Sequence, residues 1–553
     1  MEENIRKATE EALAELGAHE MNFVVEWPAD MAHGDYAVNA AMAAMAAAKA
    51  LGKNPRELAS ELAPRIKEKL GMYVSSVEVA GPGFINVTLA RDEVARLVRE
   101  ATTLAKEWGT NDAKNGKRII IEFSNTNAFK EMHIGHLMST IIGESLARLI
   151  EASGATVARD TYGGDVGPHV AKALWGLREA GIYDPTTAEE IGKAYAAGSR
   201  AYEESEEAKE KIDALNVAIY KGDESELMEL WRKAFEVSTD AFKDLYRILD
   251  THFDYFFYES ETAPIGMDIV RDGLARGVFE ESEGAVIYRG EKVGLHTLVF
   301  ITSRGTPTYE AKDVGLAFLK EERWPSDESI IVTAAEQIGH FNVFLAALRE
   351  IAPLLGAKTR HIPHGFLRLT TGKMSSREGN VVTAESLIRD VIKKTSERNE
   401  DPLVAELVAM AAIKYSILRS SAGSDITFDF DQSLSLEGDS GPYLQYALVR
   451  AKSILAQAET KEIPDSDAPA EAYLLERLII RYPEVVRRAQ HDLAPHMLAH
   501  YLTQLASEWS SFYANERILG GEYESYKLEL ARAFVQTMHN GLHLLGIPVP
   551  ERM

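Results

Sequence analysis

The stretch that decides the fold reads Arg118-Ile119-Ile120-Ile121-Glu122-Phe123-Ser124, then Asn125-Thr126-Asn127-Ala128-Phe129-Lys130-Glu131-Met132, then His133-Ile134-Gly135-His136-Leu137-Met138-Ser139-Thr140. A β-branched run stops at polar residues, crosses a loop and enters a long helical pattern. The unbroken apolar letters of 118–124 predict a strand buried on both faces, as in a parallel sheet. The helical pattern runs from about 134 to 152 and stops at Gly154, and a second apolar run, Ala155 to Ala158, leads to Tyr162-Gly163-Gly164-Asp165. Strand, helix and strand in this order make a βαβ unit. His133 and His136 fall where the helix begins. Free N–H groups and partial positive charge suit a helix N-terminus to an anionic ligand.

Upstream, residues 1–90 read as a small α+β unit. An alanine-rich, helix-favouring segment spans 36–51 and stops at Gly52. Asn54-Pro55-Arg56-Glu57 restarts a helix, with Asn54 as cap, Pro55 at the first helical position and Glu57 returning the cap. Val77 to Val79 and Phe84 to Leu89 read as strands about the turn Gly81-Pro82-Gly83. A helical connection over 91–116 then leads into the strand at 118.

Downstream, residues 170–260 are acidic and helical, and the region up to about 290 reads as an insertion that splits the α/β domain. Strand signals return at Leu298-Val299-Phe300-Ile301 and at Ser329-Ile330-Ile331-Val332-Thr333. From about 404 the apolar residues recur at helical spacing, which predicts a bundle of about five or more helices. The expected boundaries are 1–92, 113–180, 181–295, 296–403 and 404–553.

Composition sets limits on function. The 553 residues carry a formal charge of −25. Taken alone this argues against a nucleic-acid partner, although a local basic face can exist on an acidic body. Cysteine is absent, which removes disulfides and thiolate metal sites and fits a reducing cytosol. No apolar run is long enough to span a bilayer.

Two motifs carry chemistry. In His133-Ile134-Gly135-His136, the glycine lets a phosphate approach the backbone, and the imidazoles can donate to its oxygens. A metal pair is the competing reading, but no third ligand of the usual kind lies nearby in sequence. In Gly372-Lys373-Met374-Ser375-Ser376-Arg377-Glu378-Gly379-Asn380, a lysine on a glycine-bounded loop can meet phosphate as a point charge. The order of residues differs from a Walker A loop.

Together, at the two ends of a split α/β domain, these motifs resemble the two signature sequences of class I aminoacyl-tRNA synthetases. That resemblance implies a doubly wound, Rossmann-type parallel-sheet catalytic domain split by an insertion. It also implies ATP-dependent adenylation of an amino acid. His133, His136 and Lys373 are then the catalytic residues, with Ser124, Gly135, Met374 and Ser375 also on ATP.

The finer resemblance, over nearly the whole chain, is to the arginyl-tRNA synthetases. On matching positions Glu122, Asn127, Tyr309, Asp313 and Gln337 would hold arginine. A guanidinium has five donors and a fixed charge, so carboxylates and a phenol suit it. The motif Gly81-Pro82-Gly83-Phe84-Ile85-Asn86-Val87 is similar to the family's N-terminal domain, which touches the tRNA D-loop, with Phe84 and Asn86 on contacting positions. Gly441-Pro442-Tyr443-Leu444-Gln445-Tyr446-Ala447 and the terminus at Met553 resemble its all-α anticodon-binding bundle. Tyr443, Tyr446 and Tyr501 are aromatics able to stack on unpaired bases, or else core residues. Tyr162, Asp165 and His169 are candidate pocket residues.

The resemblance implies L-arginine, ATP with Mg²⁺ and tRNA(Arg) as partners, with no structural metal and no membrane. A cytoplasmic monomer is expected, as is a need for tRNA before arginine is activated.

Overall fold

The computed structural model describes residues 1–553 except 20, 29, 45–52, 223–224, 371–381 and 459–467. The lysine motif at 372–380 and the end of the alanine-rich segment therefore lie outside the described residues. The chain forms two compact units. One comprises Met1–Gly109, Ala447–Val486 and Gln504–Asn540, and the other Thr110–Tyr446, Arg487–Thr503 and Gly541–Met553.

The second unit is built on the opening stretch. Its sheet has five parallel strands: β1 (Arg118–Glu122), β2 (Thr156–Gly163), β3 (Tyr255–Tyr258), β4 (Glu328–Ala334) and β5 (Thr359–His364). Their spatial order is β5-β4-β1-β2-β3. Ile119, Ile120 and Ile121 are buried, as an interior parallel strand requires. Helix α1 (Ile134–Glu151) joins β1 to β2. The strand order runs one way from β1 to β3 and the other way from β4 to β5. A ligand crevice is therefore expected beyond the carboxyl ends of β1 and β4.

The region read as an insertion departs from expectation in one respect. It begins as a helical array, Ala188–Glu204, Glu206–Lys221 and Ser225–Ile248, but then supplies β3 to the parallel sheet. Helix α2 (Glu259–Ala275) follows directly. The strand expected at Leu298–Ile301 exists, but it pairs antiparallel with Ala285–Tyr288 in a separate three-stranded sheet. Helices α3 (Tyr309–Arg323) and α4 (Ile338–Ile351) flank β4.

Helices α2 and α3 cross at two glycines. A Cβ at Gly266 would collide with the carbonyl oxygen of Ala311, and one at Gly315 with that of Thr262. The backbones touch because neither residue has a side chain there.

The first unit carries a four-stranded antiparallel sheet in the order Val25–Glu26, Tyr36–Val38, Phe84–Leu89, Val74–Ala80. Tyr36–Val38 is a strand where alanine-rich helix was expected, and the helix starts only at Ala40. Tertiary pairing with Ile85–Val87 overrides local propensity here. The capping box at Asn54 forms as read, with Asn54 Oδ1 accepting from the Glu57 N–H at 3.0 Å and Glu57 Oε2 from the Asn54 N–H at 2.8 Å. On Phe84–Leu89, Ile85, Val87 and Leu89 are buried while Phe84 and Asn86 lie on the opposite, half-exposed face.

Overpacking a core contact costs about 1–3 kcal/mol, against up to about 1 kcal/mol of helix propensity gained when Ala replaces Gly. Gly315→Ala should therefore lower the melting temperature measured by calorimetry. A raised melting temperature would contradict the close crossing of α2 and α3.

Candidate active site

A cavity of about 590 Å³ opens beyond the carboxyl ends of β1 and β4, at the predicted switch point. The chain leaves β1 through two residues in the left-handed region, Ser124 (φ 72) and Asn125 (φ 53). Such conformations are strained without glycine and persist where surrounding contacts hold them. The Ser124 N–H donates to Ser139 Oγ at 3.1 Å, and the Ser124 hydroxyl is engaged by the Tyr246 hydroxyl at 3.1 Å. Asn127 Oδ1 accepts from the Gly164 N–H at 3.0 Å, leaving its NH₂ as the group that can donate.

The histidine pair begins α1. His133 is its N-cap, with Nδ1 accepting from the Gly135 N–H at 3.1 Å. His136 Nδ1 accepts from the His133 backbone N–H at 3.3 Å. The two rings stack with centroids 3.6 Å apart. Burial lowers both pKa values, so both rings are neutral near pH 7. With Nδ1 committed as acceptor, the proton of each neutral ring sits on Nε2. The helix start thus offers two Nε2–H donors beside its own dipole. Lys130, which the sequence reading did not single out, lines the same end of the cavity.

The chain on the far side of the lysine motif returns to this point. The Ile134 N–H donates to Val382 O at 3.3 Å, and the Ala384 N–H to Met132 O at 2.7 Å. His133 and Thr383 form a β-bridge. The residues that follow the lysine motif are therefore anchored beside the histidines.

Elsewhere the cavity is lined with carboxylates. Glu122, 2 % exposed, accepts from Asn125 Nδ2 at 2.8 Å and pairs with Lys320 Nζ at 3.1 Å. The same ammonium lies 3.1 Å from Asp160 Oδ2. Burial pushes the Asp160 carboxyl up to about 7, with Lys320 opposing. Burial works against the Lys320 charge, but Asp160 and Glu122 on either side raise its pKa.

Asp313 lies beside His340, and Lys312 Nζ pairs with Glu259 Oε2 at 2.6 Å. Tyr309 stands at the rim, 67 % exposed, with the Lys312 ammonium 5.3 Å from its ring centroid. Gln337 is exposed at the start of α4 and also lines the cavity.

Of the other pocket candidates, Tyr162 and His169 line the cavity, and burial takes the His169 pKa down to about 4. Asp165 instead sits behind it, accepting from the Ser260 N–H at 2.9 Å and from its hydroxyl at 2.5 Å, which fixes the start of α2. Glu259 was missed in the sequence. The available signal was an acid directly after a short aromatic strand, the counterpart of Glu122 at the end of β1. Among the described residues no group of three or more His, Asp or Glu could hold a metal ion, and no helix is long and apolar enough to cross a membrane.

The remaining expected residues lie elsewhere. Tyr443 and Tyr446 are half-buried one turn apart on the helix Gly441–Ala458, and Met553 is 41 % exposed. Tyr501 is only 6 % exposed, which makes it a core aromatic and leaves little ring face for a base.

A five-stranded parallel sheet with a histidine pair at its first helix start and a crevice at the switch point defines a class I aminoacyl-tRNA synthetase catalytic domain. Residues 100–430 match the family described as tRNA synthetases class I (R), catalytic domain. Residues 1–89 match the arginyl tRNA synthetase N-terminal domain and 444–553 the DALR anticodon binding domain. The chain belongs to the arginyl-tRNA synthetase family.

Similar proteins include the arginine–tRNA ligase of Treponema denticola, 32% identical over 538 residues that cover 92% of this chain and 91% of the relative. That of Limosilactobacillus reuteri is 31% identical over 569 residues, covering 100% and 99%. The Thermus thermophilus arginyl-tRNA synthetase structure superposes with a TM-score of 0.80 at 26% identity, covering 100% of both chains. The Plasmodium falciparum arginyl-tRNA synthetase has the same fold, with a TM-score of 0.82 at 21% identity and coverage of 100% and 99%.

Removing one partner of a buried ion pair costs about 3–5 kcal/mol, because the other charge is stranded. Lys320→Met should destabilise the chain by that amount in chemical denaturation, and adding Asp160→Asn should recover part of it. A Lys320→Met chain as stable as the parent would remove Lys320 from its place beneath the cavity.

Proposed function

We propose that the chain is an ATP-dependent arginine–tRNA ligase acting through the switch-point cavity. The observation that carries this reading is the polarity of the cavity. One end holds two neutral imidazole donors at a helix start, with Lys130 and the exposed Glu336 nearby, and the carboxylates Glu122, Glu259 and Asp313 lie together elsewhere in the lining. An anion belongs at the helix start and a guanidinium among the carboxylates.

In the first step an oxygen of the arginine carboxylate attacks the α-phosphorus of ATP. The bond to the bridging oxygen breaks, and pyrophosphate leaves with arginyl-adenylate formed. The Nε2–H groups of His133 and His136 stabilise the charge that gathers on the phosphate oxygens, and Gly135 allows the close approach. Lys373, with Met374 and Ser375, acts on the phosphates, and Mg²⁺ travels with ATP as its counter-ion. The anchoring of residues 382–384 beside His133 supports this role for the lysine motif. Ser124 also lines the cavity on the ATP side, with its hydroxyl paired to that of Tyr246.

Asp313 and Glu259 receive the guanidinium, Tyr309 covers it from the rim, and Asn127 and Gln337 bind the backbone of the amino acid. Glu122 contributes charge from below. In the second step a hydroxyl of the tRNA terminal adenosine, the 2′ by the family resemblance, attacks the arginyl carbonyl and releases AMP. Phe84 and Asn86 on the open face of their strand, and Tyr443, Tyr446 and Met553 at the other end of the chain, are the proposed tRNA contacts. The chain is read as a cytoplasmic monomer, and its lack of cysteine agrees with a reducing compartment.

ATP–pyrophosphate exchange with arginine should require tRNA. Removing one preorganised donor typically costs about 10²–10³ in rate, so His136→Ala should lower exchange by that factor while arginine affinity changes little. Asp313→Ala should instead weaken arginine binding, since a charge-assisted hydrogen bond of roughly 1.5–3 kcal/mol is lost. Normal exchange by His136→Ala, or normal arginine affinity in Asp313→Ala, would overturn the corresponding role.

A further inference from the structure

The cavity contains a cation that the reaction does not use. His340, on α4, presents both ring nitrogens to carboxylates on α3. Its Nε2 lies 2.5 Å from Asp313 Oδ2 and its Nδ1 3.3 Å from Glu310 Oε1. A neutral imidazole has one donor and one acceptor nitrogen. Between two ionised carboxylates it carries both protons, since otherwise one nitrogen lone pair would oppose a carboxylate oxygen. The ring is fixed in this attitude by Phe341, edge-on at 5.0 Å, and by Phe344, parallel at 6.4 Å.

The surroundings explain why such a cation is needed. Asp313 shares the cavity with Glu122 from β1, Glu259 from α2 and Glu310 from its own helix, and with the phenols of Tyr162 and Tyr309. Burial raises the Asp313 pKa, and Glu122 and Glu310 raise it further. His340 is the group that opposes them. Behind His340, on β5, stands His361, which burial takes to about 4 and which is therefore neutral. His340 itself is pushed up to about 10, because Asp313 and Glu310 outweigh the opposing effect of burial.

We propose that His340 is a positioning residue for arginine: its imidazolium keeps Asp313 ionised in the empty cavity and grips one carboxylate oxygen, leaving the other for the guanidinium. This rests on the reading that Asp313 receives the guanidinium. Lys312 stands to Glu259 as His340 stands to Asp313, holding one oxygen of a buried carboxylate. Without its cation, the Asp313 carboxyl loses the one group that opposes burial, Glu122 and Glu310, so its pKa rises further and it holds its charge for the substrate less well as pH falls. The sign follows from linkage: an acid whose pKa is raised binds a cation more weakly as pH falls through that value.

The test is arginine affinity by calorimetry on the full chain from pH 8 to pH 6, for the parent and for His340→Gln. Asp160, which titrates in the same range, is present in both, so the ratio of the two Kd values isolates His340. That ratio should grow as pH falls from 8 to 6, the direction linkage sets for an acid whose pKa is raised. A ratio that is constant with pH would mean that His340 only supports the fold, and would overturn the proposal.

The parent chain gives a check that needs no variant. Long-range proton–nitrogen spectra of its histidines at pH 8 should contain an imidazolium with both nitrogens protonated, and spectra in which every histidine is neutral would overturn the proposal. Asp313→Asn separates the two levels of the argument. If it leaves arginine affinity unchanged, the guanidinium reading fails. If it weakens arginine while the His340→Gln ratio stays flat, that reading stands and only the role of His340 fails.

Discussion

The ammonium of Lys320, buried between Glu122 and Asp160, is the interaction on which the site depends. Glu122 ends β1, Asp160 lies in β2, and Lys320 is near the end of α3. One charge therefore ties the two central strands to the helix that also carries Tyr309, Lys312 and Asp313. Two carboxylates this close in a dry interior repel each other, and the cation between them makes the arrangement tenable. The glycine crossing of α2 and α3 then fixes Glu259 relative to the same helix. Two of the three carboxylates assigned to the guanidinium end thus sit on elements whose spacing leaves little freedom.

The charges of the cavity follow a common plan. Glu122 has Lys320, Glu259 has Lys312 and Asp313 has His340. Each carboxylate has a cationic partner, and at Glu259 and Asp313 that partner opposes the upward push of burial on the carboxyl. This limits the penalty of burying negative charge while no substrate is present. At the other end the chemistry is reversed. His133 and His136 are held neutral, with tautomers fixed by backbone donors, so they offer N–H groups without bringing full charges of their own. The helix dipole and Lys130 supply positive character there.

Much of this was legible in the sequence, for particular reasons. β1 is an interior strand, so its apolar letters are continuous, and α1 follows with clear helical spacing. The capping box at Asn54 is a local device and forms as read. β3 was not legible: Tyr255–Tyr258 is four aromatic residues embedded in acidic helical sequence, too short for a pattern. Missing that strand meant missing Glu259 directly after it. Tyr36–Val38 misled because its neighbours are alanines, while its partner strand lies far along the chain. Asp160, Lys320 and His340 were invisible for a different reason. A buried charge looks like a surface charge until its partner is known, and each of these finds its partner through the fold. The same rule demoted Tyr501, whose helical spacing fits a core position as well as a stacking one.

The central claim is that one cavity holds arginine at the carboxylate end and ATP at the histidine end. A crystal structure of the full chain soaked with arginine tests it most directly. The account predicts guanidinium density within hydrogen-bonding distance of Asp313 and Glu259, with the amino-acid carboxylate directed towards His133 and His136. Density that places the guanidinium at the start of α1, or outside this cavity, would contradict it.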